Sequence, residues 1–138
     1  MSPFGANALS PYCEGALRGL RCRGVFLLVQ DARRTSYSVA TKERDFLSML
    51  PATLRALAGE SERNRQLADA LGATVMPLGR YDEFARETLK VLEVERVAVT
   101  VFQGHLGSGS SAIGWKHATL TAILLGTADE IDRDLQAS

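Results

Sequence analysis

The sequence predicts an α+β (mixed α/β) fold, a single compact domain over residues 1–138 with a mixed sheet of about five strands and helices packed on it. Three observations predict it. Apolar residues recur at helical spacing over residues 12–20, 46–58 and 81–92, while residues 25–29 and 96–102 are apolar or β-branched runs of strand length. A strand, a helix and a strand fall within residues 73–102, the spacing of a parallel crossover unit. The 138 residues are 46% hydrophobic and 23% charged, ordinary values for a globular chain. Such a chain buries roughly two-thirds of its unfolded surface and needs no disulfide or metal to hold a core.

The elements follow in order. Ser10 and Pro11 suit a helix start, a capping hydroxyl followed by proline at the first helical position. Tyr12, Cys13, Ala16, Leu17 and Leu20 then make one apolar stripe that Gly24 ends. Gly15 and Gly19 each weaken this helix by about 1 kcal/mol relative to alanine, so it depends on packing. Residues 25–29 read as a strand buried on both faces, and residues 35–40 as its hairpin partner nearer the sheet edge. Phe46, Leu47, Leu50, Leu54, Leu57 and Ala58 share a helical face that Pro51 kinks or breaks, with Gly59 as the C-terminal cap. A polar helix starts at Ser61 and closes at Gly72, and residues 73–76 form a short strand. An amphipathic helix over 81–92 buries Tyr81, Phe84, Ala85, Thr88, Val91 and Leu92, and a strand follows at 96–102. Residues 115–125 fit both periods. Alternation of Ala118, Leu120, Ala122 and Leu124 favours a strand paired with 96–102, before a short acidic helix running through Leu135.

Charge and cysteine usage narrow the function classes. Sixteen basic residues balance sixteen acidic ones, so the overall positive field that drives non-specific nucleic-acid binding is missing. The balance is uneven: residues 18–44 carry a net +5 and the last ten residues −3. Arg18, Arg21, Arg23, Arg33 and Arg34 would cluster if the first helix packed beside the hairpin turn, but no aromatic residues interleave them. Cys13 and Cys22 lack the spacing and the further ligands of a zinc site and read as core thiols, so no metal site is expected. The first ten residues have no basic, apolar leader pattern and no run of about eighteen apolar residues occurs. A cytoplasmic protein without membrane association is expected.

The chemistry-bearing candidates gather around residues 104–114, eleven positions with four glycines and three serines. Read as a loop, this stretch is long enough to be functional or mobile. Gly107, Gly109 and Ala112 match the dinucleotide pattern G-x-G-x-x-A, but too little chain follows for a dinucleotide fold. A phosphate or carboxylate group held by Gly107, Ser108, Gly109, Ser110, Ser111 and Lys116 is the ligand-binding expectation. His105 and His117 flank the loop as proton-transfer candidates, with Ser108 and Ser110 as nucleophile candidates, though no G-x-S-x-G elbow is present. Trp115 reads as a core or interface anchor.

The outline of helix at 10, hairpin at 25–40, helix to 58, later hairpin and terminal helix is similar to that of roadblock-type regulatory domains, over residues 10–58 and 95–136. That resemblance implies a domain that dimerises and binds small GTPases. The unit at 73–102 is extra to that outline, and the turn Asp31-Ala32-Arg33-Arg34 lacks the glycine of a tight turn. The function expected is a non-catalytic regulatory or protein-interaction module, homo-oligomeric, with a protein partner and no cofactor. The alternative is a binding protein or small enzyme for a phosphate- or carboxylate-bearing small molecule, using loop 104–114 with His105 and His117.

Overall fold

The computed structural model describes residues 6–32, 34–43, 45–71, 81–103 and 108–137, and the architecture is α+β. The described elements are α1 (Ala6–Gly19), β1 (Gly24–Asp31), β2 (Arg34–Thr41), α2 (Phe46–Leu71), α3 (Asp82–Leu92), β3 (Arg96–Phe102), β4 (Ser108–Ile113) and α4 (His117–Ala137). Their contacts divide into two compact units. The first holds α1, β1, β2, α3, β3 and β4; the second holds α2 and α4.

In the first unit the strand order is β2-β1-β3-β4, and every pairing is antiparallel. Four strands are described where about five in a mixed sheet are expected; the expected strand at 73–76 lies outside the described residues. The hairpin of β1 and β2 is as the sequence predicts, with β1 buried along most of its length and β2 at the edge. Asp31 pairs with Arg34, leaving a two-residue turn in which Ala32 takes φ 51°. That left-handed conformation is what a two-residue hairpin turn requires to match the twist of its strands, even without glycine.

Alternation along the strands sends Val25, Leu27 and Val29 of β1 and Val97, Val99 and Val101 of β3 to one face of the sheet. There they meet Leu9, Cys13, Ala16 and Leu17 of α1 and Ala85 of α3. Phe26 and Leu28, of opposite parity, are also fully buried. α1 packs on β1 and β2, and α3 on β3 and β4. The first helix starts at Ala6 rather than at Ser10, and Pro11 sits inside it. α1 ends at Gly19, not at Gly24, because Arg21 turns to φ 52° and Gly24 already belongs to β1.

The second unit is an antiparallel helix pair. α2 runs unbroken through Pro51 and Gly59, so the two helices expected between 43 and 72 are one. Phe46, Leu50, Leu54, Ala58 and Ser61 form a buried row at helical spacing on both sides of the proline. Burial of that row outweighs the roughly 3 kcal/mol that an interior proline costs. Ser61 donates to the His117 carbonyl (3.4 Å) and Thr121 to that of Ala58 (3.5 Å). Arg55 bridges Asp129 (2.8 Å) and Asp132 (2.5 Å), which fixes the opposed directions of the two helices.

Residues 115–125 correct the sequence reading. They open α4 rather than a strand, since Leu120, Leu124, Thr127, Ala128 and Ile131 are its buried face. The alternation at 118–124 is a short coincidence within a helical stripe extending over twelve residues, and the longer period wins because it buries more surface. β3 accordingly pairs with β4, from Val97 with Ile113 to Phe102 with Ser108.

Candidate functional site

β4 is built from the glycine-serine stretch that the sequence presents as a loop. Ser108, Gly109, Ser110 and Ser111 pair with Phe102, Val101, Thr100 and Val99 in turn. As an edge strand, β4 gives the N–H and C=O groups of alternate residues to β3 and turns those of the others away from it. Ser111 is buried, and its Oγ donates to Asp82 Oδ1 at the start of α3, tying the edge strand to that helix. Gly114 turns the chain out of β4 with φ 89°, and a Cβ there would lie 2.8 Å from the Glu95 carbonyl oxygen.

Gly107 and His105 lie outside the described residues. Lys116 is exposed, and His117 is the first residue of α4, so both belong to the second unit. The hairpin mouth expected between His105 and His117 is not formed by 115–125, because that segment is helical. Trp115 is buried, and among the described residues its Nε1 has no hydrogen-bond partner.

The arginine cluster also separates. Arg23 immediately precedes β1, donates its backbone N–H to the Phe102 carbonyl (2.8 Å), and pairs with Glu43 (3.0 Å). Arg34 opens β2 opposite Asp31, at the turn end of the hairpin, about 26 Å away at ~3.3 Å per residue, and Arg33 lies outside the described residues. Arg18 sits near the C-terminal end of α1, and Arg21 and Arg23 follow in its connection to the start of β1, so these three lie at the end of the hairpin away from the turn that Arg34 flanks.

What the fold does assemble is an apolar groove between α1 and α3, of about 410 Å³, lined by Pro11, Tyr12, Gly15, Ala16, Gly19, Leu20 and Phe84. Its floor is made of small residues. Pro11, Gly15 and Gly19 recur every four positions and are exposed. Its wall is aromatic: the Tyr12 and Phe84 rings stack with centroids 6.2 Å apart and planes 10° apart. Thr88 Oγ1 donates to the Phe84 carbonyl (2.8 Å), which uses its only proton, so Tyr12 donates to Thr88 (3.0 Å). Burial pushes the Tyr12 hydroxyl above its usual range, the bond to Thr88 opposes the shift, and nearby Glu87 adds to it. Tyr12 therefore stays neutral and fixed as a wall. The sequence carried a signal for this groove in the spacing of Pro11, Gly15 and Gly19, but spacing alone shows only a weakened helix.

Among the described residues no group of three or more His, Cys, Asp or Glu side chains is placed to hold a metal ion, and no helix is long and apolar enough to cross a membrane. Comparison with protein-family models, with curated proteins and with solved structures found no match to this chain.

Proposed function

We propose that the protein is a non-catalytic interaction or regulatory module that acts as a homo-oligomer. The groove between α1 and α3 carries this reading: none of the seven residues lining it is charged, and it opens to solvent. A partner surface that covered this lining would remove its apolar area from water, which favours docking there.

Sedimentation of the purified chain between about 1 and 100 µM tests the proposal, since a self-associating protein changes its average mass across such a range by mass action. A dimer or larger species, unaltered by replacing His105 and His117 with alanine, is the expected result. A monomer at every concentration overturns it.

A further inference from the structure

Resting on the reading above, we propose that a second copy of this chain closes the α1–α3 groove, its own α1 lying antiparallel against the first across Gly15 and Gly19. The glycines are the first reason. Each costs the helix about 1 kcal/mol relative to alanine, yet a Cβ at either position would meet nothing within 4 Å. No close approach among the described residues explains them. Close approach by another helix does, because Pro11, Gly15 and Gly19 form one side-chain-poor row along which two backbones come together.

Charge decides the direction. Glu14 and Arg18, both exposed and one helical turn apart, form the row beside the glycines. In a parallel two-fold pair the row of one copy lies on the opposite side of the contact from that of the other, and these charges do not meet. In an antiparallel pair Glu14 of each copy faces the partner's Arg18, so the favourable contact is made twice by symmetry. Tyr12 and Phe84 supply the apolar wall against which the incoming helix rests.

The experiment uses the full chain and compares Glu14→Arg, Arg18→Glu, the double variant, an equimolar mixture of the two single variants, and Gly15→Leu by sedimentation equilibrium. Each single variant sets like charges opposite one another and is expected to weaken assembly about tenfold or more. The double variant and the mixture restore opposite charges across the interface and are expected to regain assembly. Restoration by mixing cannot come from a change within one helix. Gly15→Leu is expected to lose assembly while its circular dichroism and melting temperature show an intact fold, because open space surrounds the position. Single variants that assemble like the parent, a mixture that stays dissociated, or a Gly15→Leu protein that assembles normally overturns this interface alone. A parent chain that is monomeric at about 100 µM overturns the self-association reading with it.

Discussion

Cys13 shows how one buried group ties stability to pH. Its single thiol proton is shared between the Val25 carbonyl (3.6 Å) and the Ser38 carbonyl (3.7 Å), and burial pushes its pKa up to about 12 from 9.0. Burial raises Cys22 in the same direction. A group whose folded pKa lies above its unfolded value adds stability that is complete below the unfolded value. The contribution of Cys13 is therefore full below about pH 9 and is lost as pH rises toward 12. Melting temperature should fall over that window, and Cys13→Ala should flatten the fall. Neither thiol should react with a thiol reagent at neutral pH until the chain unfolds, which a colorimetric titration with and without denaturant checks. Gly114 is constrained by its backbone instead. Gly114→Ala forces a left-handed alanine and a contact with the Glu95 carbonyl oxygen, and should cost about 1–3 kcal/mol in urea unfolding.

Among the elements, the β1–β2 hairpin has a turn that its own sequence does not favour. Ala32 holds φ 51° without the glycine that such turns prefer, and the strands impose it through eight paired positions. Ala32→Gly should therefore raise stability by roughly 1 kcal/mol, visible as a higher urea midpoint with an unchanged slope. α2 obeys the same hierarchy. Pro51 and Gly59 are local stop signals, yet the buried row from Phe46 to Ser61 carries the helix past both. β4 is the reverse case. Glycine and serine have little strand preference of their own, and register with Val97–Phe102 makes the strand.

For the whole molecule, formal charge balance removes the mutual repulsion that keeps many proteins apart, so net charge does not oppose the proposed closure of the groove by a second copy. If folded chains associate and unfolded ones do not, melting temperature must depend on protein concentration. The parent chain should melt higher at about 100 µM than at about 1 µM in scanning fluorimetry, and Gly15→Leu should melt at the same temperature at both. A parent melting curve independent of concentration counts against association at this level.

By itself the sequence determined the α+β class, the β1–β2 hairpin, α3 and β3. In each of these, hydrophobic periodicity and local propensity agree over enough residues to leave one answer, as in the run from Val25 to Val29. Tertiary structure decided the rest. Residues 115–125 satisfied two periods at once, and only the buried face continuing to Ile131 made them helical. Residues 108–113 satisfied neither period, and only the partner strand β3 gave them a conformation. The groove was invisible for a related reason. It needs Phe84 of α3 beside Tyr12 and Gly15 of α1, residues some seventy positions apart, and no spacing within one segment encodes a contact between two.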